Sequence, residues 1–288
     1  MSVPATDMPL VSVIVPCYNH ATFVATCLES ILAQDYPAIE IIVIDDGSPD
    51  NSFTIASQFA GQRGLQLLQQ ENRGFIATIN RGLAMATGEY YCIFASDDYM
   101  LPGRIGKQVA FLQQHPGIAA CGGNVDEVDS EGKVTASVRR QSRELDFDDV
   151  FLGRQHGIPA PTAMIRTAAA QAVGGYPADI GIEDLYMWLK LTHAGWRLAV
   201  LDDVFACYRK SPASLHQRHL YMLEHKLRIF HDYAGHPAFA RVRDRAVLGS
   251  FLRAARAGAP DARKIWRHYQ GSWFNRKLWR GFFYMLSR

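Results

Sequence analysis

Residues 89–104 read EYYCIFASDDYMLPGR. A six-residue apolar and aromatic run ends in two adjacent carboxylates, Asp97 and Asp98, and a turn-like YMLPG follows. The run predicts a buried strand, and Pro102 is placed to open the next helix. The aspartates would then sit just past the carboxyl end of a strand, where open α/β sheets hold their ligands. Side-by-side carboxylates repel unless a cation or a donor answers them, so a hard divalent metal with oxygen ligands is the chemical expectation. An ordinary acidic strand-to-helix turn reads the same way, and the neighbouring stretches must decide.

Upstream, LVSVIVPCYN (10–19) is a β-branched apolar run stopped by Pro16, a buried strand by pattern. Residues 22–35 carry Phe23, Cys27, Leu28, Ile31 and Leu32 at helical spacing, with Thr22 as a cap. IEIIVIDDGS (39–48) repeats the strand and paired carboxylates with Asp45 and Asp46. A helix over 52–60, a strand at LQLLQQ, a helix within 72–89 ended by Gly88, and a helix over 103–114 complete the series. This β-α-β-α-β-α-β alternation implies an α/β fold with a mostly parallel, doubly wound sheet. Its first turn, PCYNHA, lacks a GxGxxG, which disfavours the usual dinucleotide fold.

After residue 118 the rhythm loosens. EVDSEGKVTA reads as a hairpin around Glu131-Gly132, and 157–177 as a Pro-rich loop, a strand, a short helix and a turn. Residues 182–203 predict a helix closed by Gly195 and then a strand; VFACYRK predicts another short strand, and 216–235 a helix.

With 288 residues the chain is long enough for one large α/β core with an added segment. Its net charge of +2 hides an asymmetry, because residues 241–288 hold twelve Arg or Lys against two Asp. A nucleic-acid footprint would have to lie in that tail, yet no standard reader motif is there, and none is expected. Five scattered cysteines without a CxxC argue against a disulfide scaffold or a structural zinc and suit a reducing compartment. The N-terminus lacks the basic and apolar regions of a signal peptide, and no apolar run reaches spanning length.

Four polar clusters occupy corresponding places: Pro16 to Asn19, Asp45 and Asp46, Asn72 to Gly74, and Asp97 and Asp98. In a parallel sheet all four loops open onto one edge and form one cleft. Asp45 or Asp46 can accept from a base N–H or ribose hydroxyls, Arg73 can meet a phosphate as a fork of donors, and Asp98, with Asp97, can hold Mg²⁺ or Mn²⁺ on a diphosphate. Singly, each has a plainer reading as a cap or a solvated side chain.

VSVIVPCYN, IEIIVIDDGSPDNS, NRGFIATINRGLAMATGEY and FASDD together resemble the first half of family 2 glycosyltransferases, which share the GT-A fold. The likeness is dense over about 10–105, looser through GIEDLYMWLKLTHAGW, and thins out after about 215. It implies a nucleoside-diphosphate sugar donor, commonly UDP- or dTDP-linked, a divalent cation, and transfer with inversion. By position, Pro16, Tyr18 and Asp46 would line the base and ribose pocket, Arg73 would lie near the nucleotide, Asp97 near ribose or metal, and Asp98 would be the principal metal ligand. The family's frequent aspartate two places before Asp97 is here Ala95.

The same resemblance makes Asp184 the base that takes the acceptor hydroxyl proton, with Glu183 orienting the acceptor or the helix start. Without it, both would read as first-turn carboxylates stabilised by the helix dipole. Tyr208, Arg209 and Lys210 resemble the family's Tyr-Arg segment near the diphosphate, with His216 as a further ligand. Trp188 reads as core before sugar platform, and His156 as structural before acceptor-lining.

The expected division is a catalytic unit over 1–215, with a nucleotide-sugar half at about 10–105 and an acceptor half at about 106–215, followed by a helical region over 216–288. Between Trp266 and Tyr284 the tail interleaves eight aromatics with Arg and Lys, and Gly271 and Gly281 are expected to break it. Such a composition suits either contact with an anionic membrane surface or packing on the body or in an oligomer. The expectation is an inverting transferase of polysaccharide biosynthesis acting on a glycan or lipid-linked saccharide, cytoplasmic or at the inner face of the cell membrane. The rivals are a sugar nucleotidyltransferase, which would need a Gly- and Arg-rich loop in place of PCYNHA, and a non-catalytic glycan- or nucleotide-binding partner in an assembly complex.

Overall fold

A computed structural model describes residues 8–155, 157–210 and 218–286. The first half runs β1 (Val11–Cys17), α1 (Val24–Leu32), β2 (Ile39–Asp45), α2 (Ser52–Ser57), β3 (Leu65–Gln69), α3 (Phe75–Met85), β4 (Tyr90–Ile93), β5 (Tyr99–Met100) and α4 (Arg104–Gln114). The second half runs β6 (Ile118–Val128), β7 (Val134–Val138), β8 (Arg143–Leu145), α5 (Phe147–Phe151), β9 (Met164–Arg166), α6 (Thr167–Ala172), α7 (Glu183–His193) and β10 (Arg197–Arg209). A helical extension follows: α8 (His219–His231), α9 (Phe239–Ala257), α10 (Ala262–Ile265) and α11 (Arg276–Leu286).

The strands form one sheet in the order β3-β2-β1-β4-β9-β6-β10-β5, with β7 on β6 and β8 on β10. β3, β2, β1 and β4 are parallel, as the alternation predicts. β9 then enters antiparallel between β4 and β6, so the sheet as a whole is mixed. β1 is buried along its whole length: Val11, Val13 and Val15 join the core under α1 and α4, while Ile14 joins the core on the opposite face. Burial on both faces explains why the strand reads as a continuous apolar run instead of an alternating one.

Pro16 lies inside β1, opposite Ile44, and not beyond its end. The β1–β4 ladder has already stopped at Ile14 and Ile93. A missing N–H on that side therefore breaks no ladder bond. α1 forms without the expected Thr22 cap: its N-cap is Phe23, which makes no side-chain bond. Val24, Cys27, Leu28 and Ile31 are fully buried, and at about 1.5–3 kcal/mol for each large aliphatic side chain their burial outweighs a cap worth about 1 kcal/mol.

Three local expectations differ from the structure. Tyr99 and Met100, expected in a turn, pair antiparallel with Cys207 and Ala206, and α4 starts at Arg104 with Gly103 as its N-cap instead of at Pro102. The two strands expected across 197–210 are one strand, β10, with register shifts between Val200 and Ala206 where the Asp202-Asp203 pair intervenes. The break expected at Gly281 does not occur. α11 continues through it, because a Cβ there would collide with the fully buried ring of Phe251 on α9, so this glycine serves close packing. All five cysteines are buried and unpaired. No described helix is long and apolar enough to cross a membrane.

Candidate active site

The loops at the carboxyl ends of β1, β2 and β4 are sewn to one another. Asn19, with φ of 57°, donates its N–H to Ser48 Oγ at 3.0 Å, His20 N–H to Ser52 Oγ at 2.9 Å, and Ala21 N–H to Asp50 Oδ2 at 2.9 Å. Asparagine tolerates that left-handed backbone better than most residues. Tyr18 is left about half exposed above this seam (48 %).

Asp45 is fully buried. Its Oδ2 accepts from Ser48 N–H at 3.2 Å and Gln69 Nε2 at 3.4 Å, while its Oδ1 has no hydrogen-bond partner. Asp46 commits both oxygens. Oδ1 accepts from Gln70 Nε2 (2.7 Å) and Arg73 N–H (2.8 Å), and Oδ2 from Gly74 N–H (2.9 Å). Asp46 thus fixes the turn that opens α3 and leaves the Arg73 side chain in solvent. Gly47 makes the approach possible: its φ is 69°, and a Cβ would stand 2.8 Å from Asn72 N.

At the end of β4, Ser96 Oγ lies 2.8 Å from His20 Nδ1, and His20 Nε2 faces Asp97 Oδ2 at 3.8 Å. Asp98 turns inward and is 1 % exposed. Its Oδ1 accepts from Arg209 N–H at 2.8 Å, and its Oδ2 is buried without a donor. Burial, and after it the Asp97 charge, push the Asp98 carboxyl well above the usual carboxylate range against the opposing Arg209. Arg209 is itself buried: Nε donates to the Asp97 carbonyl at 2.9 Å, Nη1 to the Asp129 carbonyl, and the guanidinium lies 4.3 Å from the Phe23 ring centroid. Its fork of donors therefore holds backbone carbonyls.

An orphaned carboxylate oxygen beside a second, partly exposed carboxylate suits a hard cation. No cluster of three His, Cys, Asp or Glu side chains suited to a metal occurs among the described residues, so the diphosphate and water would have to complete the shell. His216 and His156 lie outside the described residues.

Glu183 and Asp184 open α7. Asp184 Oδ1 accepts from Leu185 N–H at 2.6 Å. Burial first, and the adjacent Asp184 charge second, push the Glu183 carboxyl up to about 8. Behind the pair, Tyr176 Oη meets Tyr91 Oη at 3.1 Å, and the Tyr176 carbonyl accepts from Asn80 Nδ2 at 2.9 Å. Burial, then Tyr91, and after them the Glu183 and Asp184 charges raise Tyr176. The carboxylate pair of α7 thus flanks a tyrosine anchored on β4, the strand that runs into Asp97 and Asp98. α8 closes the other side, since a Cβ at Gly181 would collide with Tyr221 and His225. Trp188 is core, 3 % exposed.

The structure brings Tyr18, Asp45, Asp46, Arg73, Asp97, Asp98 and Arg209 to one edge of the sheet. Sequence reading missed His20, Ser48, Asp50, Ser52, Ser96 and Gln70, the side chains that join those loops. The Ser- and Asp-rich SPDNS was their visible signal, as turn-forming residues with side-chain acceptors.

A parallel half-sheet with paired carboxylates at the ends of two of its strands, joined to a mixed second half that presents a separate carboxylate pair, is the arrangement of a nucleotide-sugar-dependent glycosyltransferase of the GT-A fold. A family model, Glycosyl transferase family 2, matches residues 12–174. The chain belongs to that family and is a glycosyltransferase. It is 31 % identical over 216 residues to a putative glycosyltransferase, EpsE of Bacillus subtilis, covering 73 % of this chain and 76 % of EpsE. Over 153 residues it is 36 % identical to the glycosyltransferase GlyG of Streptococcus pneumoniae, about half of each chain. Among solved structures, a mannosyltransferase of Pyrobaculum calidifontis in complex with GDP-Man and Mn²⁺ superposes with a TM-score of 0.63 at 22 % identity, over 91 % of this chain and 79 % of that one. Residues 1–349 of S. aureus TarS, in complex with UDP-GlcNAc, give 0.67 at 18 %, over 90 % and 84 %. At these identities the likeness shows the fold.

Proposed function

We propose a residue assignment for this family 2 enzyme, which moves a sugar from a nucleoside-diphosphate sugar to a glycan acceptor with inversion. The nucleoside of a UDP- or dTDP-linked donor lies against Pro16 and Tyr18, with Asp45 Oδ1 as the acceptor for its base or ribose. Asp46 acts through the Arg73–Gly74 turn, and the Arg73 guanidinium reaches the diphosphate. Asp97 and Asp98 hold Mn²⁺ or Mg²⁺, and Arg209 positions both through its N–H and its grip on the Asp97 carbonyl. When bound, the cation offsets charge developing on the leaving diphosphate. The observation that carries this reading is Asp98 Oδ2, a buried carboxylate oxygen with no donor.

On the acceptor side, Asp184 takes the hydroxyl proton as that oxygen attacks the anomeric carbon from the face opposite the diphosphate. Glu183, raised to about 8, is protonated at neutral pH and donates a hydrogen bond that orients the acceptor. The acceptor is a glycan or lipid-linked saccharide of a growing polysaccharide, met at the inner face of the cell membrane.

The test is a panel of nucleotide sugars titrated calorimetrically with Mn²⁺ or with chelator, followed by donor turnover. Asp98→Asn keeps the acceptor for Arg209 N–H but removes the charge, so it should abolish the metal dependence of nucleotide binding; unchanged metal dependence would overturn the ligand assignment. Asp184→Asn should lower turnover by about 10²-fold or more with donor affinity retained. A near-normal rate would place the base elsewhere.

A further inference from the structure

Residues 273–286 gather large apolar side chains that the fold leaves in water: Trp273 is 55 % exposed, Phe274 96 %, Trp279 58 %, Phe283 68 % and Leu286 83 %. No carboxylate occurs between residues 262 and 286, whereas Arg263, Lys264, Arg267, Arg276, Lys277 and Arg280 do. α11 has two apolar faces. One, with Leu278 and Gly281 buried and Phe282 and Met285 against the same core, closes on α9. The other carries Trp279, Phe283 and Leu286 at i, i+4 and i+7, facing solvent. Arg276 and Arg280, one turn apart, run beside this second face. A shallow groove of about 510 Å³ joins the two arginines to Phe274, Trp279, Phe283 and Tyr284.

We propose that α11 is a preformed docking helix for an anionic lipid bilayer, lying in the membrane plane with Trp279, Phe283 and Leu286 at the acyl boundary and Arg276 and Arg280 at lipid phosphates. The occupant follows from charge and shape. A second copy placed symmetrically on the same face would bring cation against cation, whereas anionic headgroups neutralise the arginines. A row of exposed aromatic and aliphatic side chains along one helix face also matches an interface plane. Gly281 holds α11 closely on Phe251, so the face is ordered before it binds and no folding cost opposes docking. The inference rests on the glycosyltransferase reading only for what docking delivers, a lipid-linked saccharide; docking itself stands apart.

The test uses the whole chain with vesicles of phosphatidylcholine alone or with phosphatidylglycerol added. Wild type should bind the anionic vesicles at least about tenfold more tightly, with affinity falling as salt rises. The double variants Trp279→Ala/Phe283→Ala and Arg276→Glu/Arg280→Glu should each lose about tenfold or more, with donor hydrolysis in vesicle-free buffer within about twofold of wild type. Equal binding by the variants, or no vesicle binding by wild type, overturns the proposal. So does a wild-type dimer that the aromatic variant converts to monomer, which would assign the face to a second copy. Vesicle binding by a wild type that turns over no donor would leave the docking assignment standing and remove the catalytic reading instead.

Discussion

Glu183 makes the folded protein sensitive to pH. Its carboxyl rises from an ordinary 4.5 to about 8, by burial first and the Asp184 charge second, so between those values the folded state binds a proton that the unfolded state has released. The unfolding free energy therefore falls as pH climbs through that window. Glu183→Gln should flatten the fall, read from denaturant midpoints across pH 5 to 8, and an unchanged slope would mean that the proton sits elsewhere. The residues differ in how legible they are. Asp97 and Asp98 are visible as a pair at a strand end, but nothing local says that one stays partly exposed beside His20 and the other takes the N–H of Arg209, 111 residues later. Asp46 presents the same difficulty, since its donors come from a turn 27 and 28 residues away. A carboxylate in a sequence looks alike whether a ligand or a peptide N–H will fill it.

α11 shows how an element can be misjudged while its composition is read correctly. The aromatic and cationic content of the tail is plain, yet Gly281 reads as a helix breaker because its intrinsic cost, about 1 kcal/mol against alanine, is the only thing a sequence displays. Contact with Phe251 tips the balance the other way. Gly281→Ala gains helix propensity and loses the fit, and overpacking costs about 1–3 kcal/mol, so the fit dominates. The variant should be less stable in chemical denaturation and should be cut more readily in the 271–275 connection by a protease added in trace. A more stable variant would show that α11 can slide on α9 without loss. β10 differs from its sequence pattern for the complementary reason. Asp202-Asp203 suggests a gap between two strands, but irregular register lets one strand carry a polar pair across its middle.

The parallel half of the sheet is legible because each of its strands is local: a short run rich in apolar residues, a turn, a helix, and the next run. β9 is visible as the strand expected within 157–177, but its place is not: Met164 to Arg166 insert between β4 and β6 in the opposite direction, a choice made by partners distant in the chain. The same sheet buries all five thiols, at Cys17, Cys27, Cys92, Cys121 and Cys207, with Cys17 pushed up to about 11 chiefly by burial. A thiol in that setting is both shielded and almost wholly protonated. The enzyme therefore carries a built-in stopwatch. An alkylating reagent should leave the native chain unmodified and reach all five sulfurs once it is denatured. Intermediate masses, ordered by peptide mapping, would report which part of the sheet opens first and how often.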